Sequence, residues 1–381
     1  MDNFPKWMWV VVLIVVVGGG WYLLNGKTPQ HEGPVKIGVI LPMTGDAAVY
    51  GEPLAKLIQL AVDEVNAAGG VGGEQAEVII EDGKCDGTAA ANAAQKLINV
   101  DGVEVILGAF CSSESLSVVP IAEAAKVAVI SPGSSSPKLT GISEYFVRNY
   151  PSDSTQGSVL ANIAYNDKGW KKVAFLQEQT DYALGVYTAF TETFTKLGGT
   201  VTKEEFPSEM TDFRSIITKA RAGNPDAVFV DTQTPAVAVR VLTQMDQIGW
   251  KAPLLVSDIV PGDPATVTGN AALLEGAIGA EFGVNADNSK FKAMVAAYEA
   301  KYGGVMPYQG YGQTVYDGVF LIRDAINAGG YDGTKIAHWL RTEVKDWEGA
   351  AGSTTIGSNG DPITGHRAEV IMGGRVVPYV K

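Results

Sequence analysis

EDGKCDG (Glu81–Gly87), GAFCSSES (Gly108–Ser115) and ISPGSSSP (Ile130–Pro137) follow one another at the strand-to-loop junctions of a repeating β/α pattern. Each ends an apolar run in small polar residues, which offer backbone N–H groups and hydroxyls to a small polar ligand. None of the three carries a nucleophile backed by a base, a metal cluster or a phosphate loop. The stretch therefore points to binding and away from catalysis.

Working outward, the strands of the first third read VKIGVILP (35–42), AEVIIED (76–82), VEVILGA (103–109) and KVAVISPG (126–133). Between them the apolar residues fall at helical spacing: Leu54, Leu57, Ile58, Ala61, Val62 and Val65, then Ala90, Ala93, Ala94, Leu97 and Ile98. Nearly all-apolar strands joined by helices imply parallel sheets covered on both faces. The pattern starts again at KKVAFLQE (171–178) and runs through TVTKEEFP, DAVFVDT, APLLVSD and GAIGAEF. Two such blocks predict an α/β protein of two doubly wound parallel-sheet lobes. Ligands in such sheets lie beyond the carboxyl ends of the strands, where the polar loops fall.

Glycines at Asn66–Gly73, in KLGG before Thr200, in RAGNPD (221–226) and in INAGGYDG (326–333) are expected to end helices in the left-handed conformation. The tail HRAEVIMGGRVVPYV, after the loop IGSNGDPITG (356–365), predicts a hairpin turned at Gly373 and Gly374 that completes an earlier sheet. Asp63 and Glu64, on a helix, are expected to face solvent.

The chain has 381 residues, 46% hydrophobic and 19% charged, a globular composition large enough for two domains. Its net charge of −13 argues against nucleic acid, whose phosphates need clustered Lys and Arg. Residues Trp7–Leu24, WMWVVVLIVVVGGGWYLL, form an uncharged run about long enough to cross a bilayer, with aromatics at both ends. An uncleaved N-terminal transmembrane helix (within 1–26) is expected, with a cleaved signal segment as the rival. A linker (27–34) follows, and the rest of the chain is expected outside the cytoplasm, periplasmic or at the cell surface. Cys85 and Cys111 both end strands of one lobe. In an extracytoplasmic chain they pair as a disulfide, and in a cytosolic one two buried thiols would be expected. The apolar run favours the first.

The three opening motifs, with IGVILPMTGDAAVYGE, YPSDSTQG, TDFRSIITK, PDAVF and YGQTVYDGV in order and spacing, resemble the type 1 periplasmic binding protein family. Within it they resemble the branched-chain and general amino-acid solute-binding proteins of ABC transporters, over nearly all of Val35–Lys381. The resemblance implies two lobes that close on a ligand about a three-strand hinge. Lobe 1 is then 35–152 plus 283–360, and lobe 2 is 153–282 plus 361–381. It also implies a monomeric receptor, tethered to the membrane by its N-terminal helix, that passes an amino acid or related zwitterion to an ABC permease.

Carried over residue by residue, Ser112 and Ser135, with Ser134 beside them, supply hydroxyls and N–H groups to the ligand carboxylate, and the Gly133 carbonyl accepts from its ammonium. Asp258 faces that ammonium from the second lobe. Tyr182 reaches the ligand from the second lobe, while Tyr50, Phe110 and Tyr311 line the side-chain pocket. The competing structural roles are turn or cap residues for the serines, an Asx-turn or N-cap before Pro261 for Asp258, and core packing for the aromatics. Where many relatives carry a glycine pair and an aromatic, this chain reads DTQTP (231–235). Thr232 and Gln233 make that wall more polar, so a polar or small amino acid, or an amide, competes with leucine.

His31, His338 and His366 are scattered without metal-ligand spacing, and no phosphate loop, nucleophile elbow or dinucleotide fingerprint is present. No metal, cofactor or enzymatic role is expected. The alternative to a transport receptor is an extracellular sensing domain for an amide or other small molecule.

Overall fold

The computed structural model describes residues 33–381. The expected anchor, Trp7–Leu24, and most of the linker lie outside the described residues. Among the described residues no helix is long and apolar enough to cross a membrane.

The first sheet has the order β2-β1-β3-β4-β5, all parallel, from β1 (Val35–Leu41), β2 (Ala76–Asp82), β3 (Val105–Leu107), β4 (Ala128–Ser131) and β5 (Phe146–Arg148). Its inner strands β3 and β4 are buried at every residue because both sides are covered. Ile37, Val39, Leu41, Val105, Leu107, Ala128 and Ile130 pack into one core with Leu57 and Ile58 of the helix Ala48–Ala67 and Val319 and Ile322 of Gln309–Gly329. The alternate residues Ile40, Ile106 and Val129 enter a second core with Ala90, Ala94, Val118 and Ala122 from the helices Gly87–Lys96 and Ser112–Ala125. A period of two along each strand thus feeds two separate cores.

The second sheet has the order β14-β13-β10-β9-β8-β6-β7. Its parallel part is β6 (Lys172–Glu178), β7 (Thr200–Phe206), β8 (Ala227–Asp231), β9 (Leu254–Val256) and β10 (Ile278–Glu281). The tail hairpin, β13 (Arg367–Met372) and β14 (Arg375–Pro378), joins antiparallel to β10, with Met372 paired to Arg375 across the glycine turn. Between them, β11 (Trp347–Gly349) and β12 (Gly352–Thr354) make a separate two-stranded pair. The chain passes between the two sheets' cores three times: after β5, after β10 and before β13.

Two local expectations are corrected. In RAGNPD the left-handed residue is Asn224 (φ 49°), while Gly223 stays right-handed (φ −70°). Asn tolerates that conformation because its short side chain bonds locally. Glu64 is half-buried and accepts the Tyr316 hydroxyl, so only Asp63 is a solvent-facing acid, paired with Lys301.

Candidate ligand-binding site

The carboxyl ends of the first sheet are knitted together by their own polar groups. Ser112 opens the helix Ser112–Ala125 and its Oγ accepts the backbone N–H of Ser135 at 3.2 Å and of Ser136 at 3.1 Å. Ser134 turns inward: its hydroxyl lies 2.7 Å from that of Ser115 and donates to the carbonyls of Ala109 (3.0 Å) and Phe110 (3.1 Å). The Ser135 carbonyl accepts the backbone N–H of Asp153 at 2.8 Å, and Asp153 stands in the first turn of the helix Asp153–Asn162. Cys85 and Cys111 form a disulfide with a Cα–Cα distance of 5.2 Å. The Glu114 carboxylate accepts the N–H of Cys85 (2.9 Å) and of Cys111 (2.8 Å), holding both loops. Burial pushes this carboxyl up to about 7, against the pull of those donors.

Against these loops lies a small cavity of about 10 Å³, room for about one water molecule. Tyr50, Phe110, Ser112, Gly133 and Tyr311 line it from the first sheet's side, and Tyr182, Gln233 and Ile259 from the second. The rings form a cluster, with centroids 5.4 Å apart for Tyr50 and Phe110 and 5.1 Å for Phe110 and Tyr311. Gly133 permits this, since a Cβ there would sit 2.5 Å from the Phe110 ring. The Tyr50 hydroxyl donates to the Gln233 carbonyl at 3.4 Å, and the Gln233 N–H is held by Glu178 at 2.8 Å. Such a space admits no amino acid, so entry of one requires the two sides to part.

Behind the cavity, Asp258 is 1% exposed and accepts three phenols: Tyr150 at 2.7 Å and Tyr311 at 3.2 Å on Oδ2, and Tyr182 on Oδ1. Its backbone N–H donates to Gln156 Oε1 at 3.3 Å, and Gln156 Nε2 donates to Asp153 at 3.1 Å. Asp258 caps no helix; the N-cap of Pro264–Gly269 is Asp263. All three phenols are held well above their usual range, first by burial and next by the Asp258 charge. The Asp153 carboxyl is raised too, by burial and then by Asp258. Asp258 is thus a buried acid whose oxygens are met by neutral donors, with a second acid, Asp153, close by.

Of the residues expected from sequence, Tyr50, Phe110, Ser112, Gly133, Tyr182, Gln233 and Tyr311 meet around the cavity. Asp258 joins them through its phenols, while Ser134 and Ser135 brace the loop from behind. Thr232 is buried, and its hydroxyl donates to the Thr234 carbonyl, so it faces its own turn and not the cavity. Tyr150 and Ile259 were not singled out. Tyr150 sits in NYPSD, where a tyrosine just before a crossing to the second sheet was the available signal.

A family model described as periplasmic binding protein matches residues 34–369. An amino acid binding protein of Pseudomonas aeruginosa is 31% identical over 341 residues, 85% of this chain and 88% of that protein. Among solved structures, a leucine binding protein of Thermotoga maritima superposes with a TM-score of 0.82 at 31% identity, covering 91% of this chain and 98% of that one. A branched-chain amino acid transporter substrate binding protein of Streptococcus pneumoniae, solved with isoleucine, gives a TM-score of 0.79 at 28% identity, covering 91% and 100%.

Proposed function

Because the chain belongs to the periplasmic binding protein family, we propose that it captures an amino acid outside the cytoplasm by hinge closure and delivers it to an ABC importer. The observation that carries this is Asp258, a buried carboxylate met by three neutral phenols at the seam between the two sheets. In this reading the ligand ammonium binds at Asp258, and the carboxylate accepts from the Ser112 hydroxyl and takes over the Ser135 and Ser136 N–H groups that Ser112 Oγ holds here. Several fixed donors replace the hydration of a carboxylate without a buried counter-charge. Tyr182 closes from the second lobe over the aromatic wall of Tyr50, Phe110 and Tyr311.

The moving bodies are lobe 1 (35–152 plus 283–360) and lobe 2 (153–282 plus 361–381), with the crossings as hinge. A ligand that touches both lobes stabilises the closed form, which is the form a permease reads. A membrane tether through Trp7–Leu24 and a monomeric receptor complete the proposal.

The test is a thermal-shift series on the full chain with free L-amino acids and their N-acetyl derivatives. A ligand at a hundredfold excess over Kd stabilises by about 2.7 kcal/mol. Free amino acids are expected to shift the melt and N-acetyl forms to leave it unmoved. Equal shifts from both would remove the ammonium role of Asp258.

A further inference from the structure

A second cavity, of about 500 Å³, adjoins the first, and its wall is polar except for Ala47 and Cys85. The two cavities share Gln233, and the disulfide divides between them, Cys111 lining the inner and Cys85 the outer. Gln233 on one side and the Cys85–Cys111 bridge on the other thus form a neck between an aromatic inner pocket and a polar outer chamber.

The chamber's chemistry is mixed in a particular way. Asp46, Glu178 and Glu209 present carboxylates, and Lys84 and Arg240 present cations. Asp46 and Arg240 lie 3.6 Å apart across the cleft, and Glu178 is engaged by the Gln233 N–H. Two lining groups are buried without a partner: the Thr234 hydroxyl, on a residue 2% exposed, and Arg240 Nε. An aliphatic side chain reaching past the neck would desolvate these groups and pair none of them. A carboxylate tip would add charge where acids already outnumber bases. An ammonium tip has donors for the carboxylates but no acceptor to offer Arg240 Nε or Lys84. A neutral carboxamide has an acceptor oxygen for Thr234, Arg240 or Lys84 and two donor hydrogens for the carboxylates.

Resting on the receptor reading above, we propose that the ligand is an amino acid whose side chain ends in a carboxamide, of glutamine-like length, with the amide seated beyond the neck of Gln233 and the disulfide.

Titration calorimetry on the full chain with L-glutamine, L-leucine, L-glutamate, L-lysine and L-alanine tests this. L-Glutamine is expected to bind at least tenfold tighter than each of the others. Thr234→Val is expected to weaken L-glutamine about tenfold relative to L-alanine, since a lost hydrogen bond to a buried group is of that order, and Lys84→Met, at an exposed residue, to weaken it by a smaller factor. Tighter binding of L-leucine, or L-glutamine affinity unmoved in both variants, overturns the inference and leaves the receptor reading standing. Binding of no amino acid overturns both.

Discussion

Arg148 Nε donates to Asp361 Oδ1 at 2.7 Å, and the arginine is fully buried. The pair joins the end of β5, where the chain first leaves the first sheet, to the loop before β13, where it leaves that side for the last time. The same guanidinium donates to the carbonyls of Ser134 (3.2 Å) and Ser136 (3.0 Å), so the hinge and the proposed carboxylate-binding turn share one anchor. Removing one partner of such a pair leaves a buried charge, which costs about 3–5 kcal/mol. Asp361→Ala is therefore expected to lower the unfolding free energy by about 3 kcal/mol, at the low end because Arg148 keeps its carbonyl partners. Urea titration measures it, and a loss under about 0.5 kcal/mol would show the pair to be idle.

Ser112 holds the turn through two accepted N–H groups, those of Ser135 and Ser136. Ser112→Ala leaves both buried donors unpaired, at about 1–3 kcal/mol each. The variant is expected to lose about 2 kcal/mol of stability and at least tenfold in amino-acid affinity. Wild-type affinity with lowered stability would make Ser112 a brace for the loop alone.

Asp317 gives a pH dependence with a definite sign. It accepts the N–H of Ala350 (2.7 Å) and Ala351 (2.8 Å), and burial pushes its carboxyl up to about 7 from 3.8. Between these values the unfolded chain has released the proton and the folded one retains it. Stability is greatest below about pH 4, falls as pH rises to about 7, then levels off. Three pH units correspond to about 4 kcal/mol at most. Glu114 and Glu369, both pushed up to about 7, act in the same sense. His366, held down to about 4 by burial, acts in the opposite sense between about 4 and 6.5. Asp317→Asn is expected to reduce the drop in unfolding free energy between pH 5 and 7.5 by at least about 1 kcal/mol. An unchanged drop in urea titrations at the two pH values would remove Asp317 from the balance.

The lobes were legible because their physics is local. VKIGVILP has Val35, Ile37, Val39 and Leu41 on one face and Gly38 and Ile40 on the other, with Lys36 its one charge, and so nearly apolar a run calls for cover on both sides of a parallel sheet. Phe146–Arg148 was not legible as a strand: three residues ending in an arginine carry no period, and only pairing with β4 makes them one. The site divides in the same manner. Small residues at the strand ends marked the loops, yet nothing in SPGSSSP tells that Ser134 points inward while Ser112, 22 residues earlier, supports the turn. That Asp258 gathers Tyr150, Tyr182 and Tyr311 depends on three elements far apart in sequence. The outer chamber likewise draws Asp46, Thr234 and Arg240 from both lobes, a juxtaposition that only the folded chain contains.

The Cys85–Cys111 bridge closes a loop with a sequence separation of 26, which the chain-entropy model values at about 3–4 kcal/mol. Glu114 grips the backbone N–H of both cysteines independently of the sulfur bond, so the two loops keep an attachment when the bridge is opened. The Cys85→Ser, Cys111→Ser double variant is therefore expected to remain folded, with an unfolding free energy about 3 kcal/mol lower. Because the bridge forms one side of the neck, the same variant is expected to lose discrimination between long and short side chains before it loses affinity for the amino-acid head. Urea unfolding with and without reductant checks the first part, and the ratio of L-glutamine to L-alanine affinity checks the second. Superimposable unfolding curves in oxidising and reducing buffer would show that the bridge contributes nothing to stability. A ratio equal to wild type would show that the neck is set by Gln233 alone.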